Sequence, residues 1–213
     1  MRILLRSSVF GATLAVLFFA GCAQTPISPT PASQPQAASK PAAPPQVVAA
    51  KTAFAPMYTA AHAWASDVVV LRMTAKELPG FKNSAGMAAQ WEAVFAAPSL
   101  RQYRVFTYSI TNIPPDTFKG VDAGLAMPWA GATRDAMPVD LGEFNIDSDA
   151  AYKAAAADAA EWLKKNPDKP LSTFEMGDTY RFETPVWYVV WGTKKSGYAT
   201  YVDASSGKVM KHS

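Results

Sequence analysis

Thiols, imidazoles and hydroxyls set beside a base are the side chains that most readily do chemistry, and this chain uses them sparingly. Among its 213 residues there is one cysteine, Cys22, and there are two histidines, His62 and His212. One thiolate and two imidazoles without ligand-spaced neighbours make neither an internal disulfide, nor a tetrahedral metal site, nor a triad. Ser205-Ser206-Gly207-Lys208 fits S-x-x-K, and Lys195-Ser196-Gly197 resembles K-T-G. Acyl-transfer sites built on those motifs begin a helix at the serine and place K-T-G later in the chain. Here the order is reversed and both stretches fall in predicted turns. Gly207-Lys208 is not a phosphate loop either, because Val202 occupies the place of its first glycine. Asp147-x-Asp149 lacks the sixth-position glycine of a calcium loop. Asp158 and Glu161 read as the solvated face of a helix. The chain is expected to be no enzyme and to hold no metal or cofactor.

What remains is the chemistry of Cys22 itself. Arg2 and Arg6 give a short positive start, and Val9 to Ala20 is apolar apart from Gly11 and Thr13. About 12 apolar residues suit an export signal and fall short of the roughly 20 that span a membrane. The run closes on Ala20-Gly21-Cys22. Small residues let a signal peptidase seat the chain, and the thiol is the nucleophile that takes a diacylglycerol group. The pattern resembles the lipobox of bacterial lipoproteins, with Phe19 where leucine is usual. That resemblance implies a signal peptide over 1–21 and a lipidated Cys22 as the mature N-terminus. Each buried CH₂ adds about 0.8 kcal/mol, and stable anchoring takes more than one acyl chain, so a triacylated Cys22 holds the protein on a membrane. Ala23 stands where Asp commonly marks inner-membrane retention. The expected location is the outer membrane, facing the periplasm.

Of the 20 basic residues, Arg2 and Arg6 belong to the signal and Lys40 to the stretch after it, leaving 17 against 17 acidic ones from residue 51 onward. A balanced domain gives no basic face for nucleic acid. Residues 24–50 are Ala, Pro, Ser, Gln and Thr, with prolines at 26, 29, 31, 35, 41, 44 and 45. Proline donates no N–H and biases its predecessor to extended geometry. With no apolar pattern to bury, 22–50 is expected to be a disordered tether behind the lipidated cysteine.

The folded part, from 51 on, is expected to be α+β and to consist of two similar units. A helix over Ala53 to Ser66 carries Trp64; a second over Ser148 to Lys165 carries the stripe Tyr152, Ala155, Ala156, Ala159, Trp162. Asp147 or Ser148 caps its start, and Pro167 stops it. Strands follow each helix: Trp91 to Phe95 and Arg104 to Ile110, then Trp187 to Trp191 and Tyr198 to Val202. Trp64 to Trp162 spans 98 residues, Trp91 to Trp187 and Phe95 to Trp191 each 96, and Phe106 to Tyr201 95. Near-constant offsets predict duplication, each unit being one helix packed on a small antiparallel sheet: 51–111 and 145–213. The connector, 112–144, is rich in proline and glycine and long enough to be functional. Within it Trp129, between Pro128 and Ala130-Gly131, is a candidate partner contact; the alternative is that it plugs the seam between units.

Tyr198-Ala-Thr-Tyr201-Val-Asp203-Ala-Ser-Ser-Gly207-Lys208-Val209 resembles the end of a PepSY domain, over about 145–211. The first unit resembles a degenerate copy without the Asp…Gly turn. The resemblance implies an α+β fold and a non-catalytic role as a peptidase inhibitor or protein-binding module. It brings no catalytic residues, and it makes Asp203 and Gly207 turn positions. The expected partners are a membrane, through lipid on Cys22, and an envelope protein such as a peptidase. The alternative is a structural or assembly lipoprotein that binds peptidoglycan or another envelope component.

Overall fold

A computed structural model describes residues 46–193 and 195–210. Residues 1–21, Cys22, the tether as far as residue 45 and His212 lie outside the described residues. The described chain is α+β, with one antiparallel sheet and helices on one of its faces.

Helix α1 spans Ala50–Trp64 and turns Ala50, Ala53, Met57 and Ala61 inward. Three- and four-residue spacing puts these on one stripe, the condition for laying a helix on a sheet. Strand β1 (Val69–Lys76) follows, then β2 (Gln90–Ala97), a 3-10 turn at Pro98–Leu100, and β3 (Gln102–Ser109). Two short strands, β4 (Gly120–Ala123) and β5 (Met127–Pro128), both pair with β3. The second half runs α2 (Ser148–Asp158), α3 (Ala160–Lys165), β6 (Leu171–Gly177), β7 (Val186–Trp191), β8 (Tyr198–Asp203) and β9 (Val209–Met210). The spatial order is β4-β3-β2-β1-β6-β7-β8-β9. All neighbours are antiparallel, and β1 and β6 join the halves.

The strands therefore form one sheet rather than two small ones. The reason lies in β1 and β6, which the sequence reading passed over. Each supplies its half with an inner edge, and those edges pair. Pairing across the middle covers the inner edges over the three pairs from Arg72–Gly177 to Thr74–Glu175.

The core follows the strand alternation. Trp91, Ala93 and Phe95 of β2 and Trp187, Val189 and Trp191 of β7 all face the helices and are buried. Trp91 and Trp187 meet edge to face at 6.3 Å, and Phe174 stacks on Trp187 at 5.1 Å. Each indole N–H donates to a carbonyl two residues before a helix: Trp91 to Val48, Trp187 to Ile146. That bond satisfies the polar end of a buried tryptophan.

Other expectations need correction. The second helix is not continuous, because Ala159, at φ −80° and ψ 0°, separates α2 from α3. The ordered chain starts before residue 51: Val48 exchanges backbone hydrogen bonds with Ala88, and Val47 and Val48 pack near Leu78 and Ile110. The connector carries β4 and β5. Asp158 does more than face solvent, since its carboxylate accepts from the Tyr198 hydroxyl at 2.8 Å.

The start of α2 also serves α1. Helix α1 has no side-chain cap of its own at Ala49. The buried Ser148 hydroxyl accepts from the Ala50 N–H at 2.8 Å, and Asp147 accepts from the N–H groups of Lys51 and Ser148. Free N–H groups at a helix start need such acceptors. Gly86 lies against the same point. Its φ is +78°, and a Cβ there would run into the Ser148 carbonyl. Among the described residues no helix is long and apolar enough to cross a membrane.

Candidate functional site

Among the described residues no helix packs on the side chains that alternate away from α1 and α2. On that face of the sheet lies a groove of about 840 Å³, crossing from β3 over β2, β1 and β6 to β8. Five aromatic residues line it: Tyr103, Trp129, Phe182, Tyr188 and Tyr201. Tyr188 and Tyr201 are direct partners in the β7–β8 register and stack at 4.7 Å; Phe182 packs on Tyr201 at 4.8 Å. Position two residues apart on a strand means the same face. The alternation that buries Trp187 and Val202 therefore turns Tyr188 and Tyr201 outward.

Charged groups are set among the rings. Arg72 and Arg181 lie in the lining with Asp135, Glu175 and Asp178. Burial pushes the Asp178 carboxyl above its ordinary value; the Thr179 N–H opposes the shift and the charge of Asp140 adds to it. Burial likewise pushes the Tyr201 phenol up, with Tyr188 adding to it. Thr179 Oγ1 is buried and has no hydrogen-bond partner among the described residues. At the rim, the Arg134 guanidinium lies 3.9 Å from the centre of the exposed Tyr180 ring, a cation–π contact.

Trp129 forms part of the wall. It is half-buried, and its backbone N–H donates to Arg101 O at the start of β3. That places its backbone on the β3 side of the groove, whose lining also holds the β1–β6 pair Arg72 and Gly177. Beside it, Leu125, Met127 and Leu100 are exposed, which extends apolar surface along the β5 edge.

The residues with motif-like spacing are not brought together. Ser205 and Lys208 sit in the β8–β9 turn, where Ser205 and Ser206 N–H groups donate to Asp203 Oδ1 and Gly207 adopts φ +75°. Burial works against ionisation of Asp203, yet those N–H groups outweigh it and hold the carboxyl below its usual value. Ser196 lies in the β7–β8 turn, its hydroxyl 3.0 Å from that of Thr193. His62 is exposed on α1 and packs edge-on against Tyr58. Asp147 and Asp149 both accept from backbone at the start of α2. Among the described residues no group of three or more His, Cys, Asp and Glu is placed to hold a metal ion. What the open face can do chemically is hold a ligand by ring stacking, two guanidinium groups and carboxylates.

The sequence reading found Trp129 and missed the rest of the groove. The missed signal was the polar phase of strands already recognised, in which Tyr188 and Tyr201 stand next to buried residues.

No protein-family model matches this chain, and no curated protein matches it. Among solved structures it is similar to the crystal structure of a putative lipoprotein from Clostridium difficile, at 10% identity and a TM-score of 0.46, over 72% of this chain and 87% of that one. A likeness that distant carries no argument about role.

Proposed function

We propose that this chain is a lipid-anchored protein of the cell envelope, held through Cys22 on the outer membrane, whose domain binds another envelope protein and performs no chemistry of its own. The anchor rests on the lipobox-like Ala20-Gly21-Cys22 and the apolar run before it. The domain is read as two PepSY-like halves. That reading is supported by the repeated order of helix and four antiparallel strands, by the two matching indole hydrogen bonds, and by the Asp203 to Gly207 turn.

One observation carries the binding role: a sheet face that no helix covers among the described residues, holding a groove of five aromatic residues and five charged ones. Tyrosine, tryptophan and arginine are the residues that concentrate binding energy at protein interfaces. The PepSY resemblance makes a peptidase the partner class to test first.

The test uses the mature lipidated chain and the double variant Trp129→Ala/Tyr201→Ala. A stoichiometric envelope protein retained by the wild-type chain and lost in the variant is the expected result. Retention of peptidoglycan instead, unaffected by the variant, contradicts the proposal. Metabolic labelling with a clickable fatty acid is expected to mark the wild-type chain and to leave Cys22→Ala unmarked; label retained in Cys22→Ala refutes the anchor.

A further inference from the structure

The β1–β6 seam rests on three residue pairs: Arg72 with Gly177, Met73 with Met176 and Thr74 with Glu175. Strand β1 runs on to Lys76 and β6 begins at Leu171. Both strands thus continue past the last pair without pairing each other. Backbone groups left unpaired inside a sheet are costly unless something meets them.

At the end beside Val70 the chain closes the gap itself. Residues 137–139 enter between the strands. The Met137 N–H donates to Asp178 O at 3.0 Å, and the Val139 N–H donates to Val70 O at 2.8 Å. Pro138 sits between these donors and has no N–H to leave unmet.

Among the described residues the opposite end is open. A cavity of about 1260 Å³ lies between Ala75–Glu77 and 171–173, bordered by Leu78 and Phe81. Strand register makes the two ends counterparts. Trp91 pairs with Ala75 and Phe95 with Val70, while Trp187 pairs with Met176 and Trp191 with Leu171. Val70 therefore corresponds to Leu171. Asp178, two residues beyond Met176, corresponds to Glu77, two beyond Ala75. Leu171 and Glu77 both line the open cavity. Among the described residues no segment lies between them as 137–139 lies between Val70 and Asp178.

We propose that this open end of the seam is a docking groove for an extended peptide segment of another protein, which continues the established β1–β6 ladder as residues 137–139 do at the other end. Main-chain hydrogen bonds hold such a strand, and side-chain pockets select it. The walls carry Lys76, Lys82 and Lys169 against Glu77, Asp168 and Glu175. Balanced charge favours an uncharged segment. The filled end sets the donor pattern: two N–H groups, two residues apart, on apolar residues. This inference does not rest on the aromatic groove, although Glu175 borders both cavities.

The probe is the capped hexapeptide Ac-Ala-Met-Pro-Val-Ala-Leu-NH₂, which copies residues 136–141 with alanine in place of Asp140. It is titrated into the mature chain and followed by backbone-amide NMR and hydrogen exchange. The expected result is shift changes and slowed exchange at 75–78 and 171–173. N-methylation of the peptide's Met and Val amides, which removes both donors, is expected to weaken binding by about tenfold or more. Absence of binding, changes centred on Val70 and Asp178 or on Tyr201, or an N-methylated peptide that binds as well as the parent would each overturn the proposal.

Discussion

The two faces of the sheet are made by the same strands and differ in every other respect. Toward the helices, β7 presents Trp187, Val189 and Trp191, all buried. Toward the open side, the same strand presents Tyr188 to a groove shared with arginines and carboxylates. One side-chain phase is spent on the core under the helices; the other buries Val186 and Val190 but gives Tyr188 to the groove. The comparison teaches where stability and binding reside: substitutions on the helix side should change the fold and leave nothing specific to binding, while those on the open side should do the reverse.

The largest effect is expected from Trp187→Ala. Removing a fully buried indole that contacts Trp91, Phe144 and Phe174 should cost about 3–5 kcal/mol, read from chemical denaturation; a loss below about 1 kcal/mol would show that the covered face is not the stabilising one. Next is Ser148→Ala. It leaves the buried Ala50 N–H without its acceptor, an expected loss of roughly 1–3 kcal/mol. Native-state hydrogen exchange should show the first turn of α1 loosened, because this hydroxyl holds that turn from the start of α2.

Asp203→Ala should cost less, under about 1 kcal/mol, because the turn is partly solvated and screened. Its pH dependence is distinctive. The folded carboxyl lies below its unfolded value, so its contribution is present above the unfolded pKa and is lost as pH falls through the folded one. Wild type and variant should converge in acid and separate near neutrality. Asp178→Asn should give the smallest change, with the opposite sign. Burial raises the folded Asp178 pKa, so its ionisation opposes folding above that value. The variant should be slightly more stable than wild type near neutral pH and equal to it in strong acid. Thermal melts over a pH series read both.

Much of the covered face was legible in the sequence. Apolar spacing located both helices, and aromatic alternation located β2, β3, β7 and β8. The offsets that linked Trp91 with Trp187 also picked out the pair whose indoles bond in matching ways. β1 and β6 went unread, although Val68 to Leu71 is an apolar run and Phe174-x-Met176 alternates. Neither carries a tryptophan or tyrosine to draw the eye, and their pairing with each other across the halves is a long-range event that local pattern does not encode. The break at Ala159 has no proline or glycine to announce it. Of the groove, only Trp129 was read, because its Pro and Gly neighbours mark a loop. Tyr188 and Tyr201 become neighbours of Phe182 only through the register of β7 with β8, which the sequence does not print.

The most direct test of the division between faces is site-specific photo-cross-linking in intact cells. A benzoylphenylalanine replaces Trp129 or Tyr180 on the open side, or Lys153 or Glu161 on the exposed side of the helices. The account predicts one defined cross-linked envelope protein from the open-side positions and none from the helix positions. Cross-linking from the helix positions alone, or equally from all four, would contradict it.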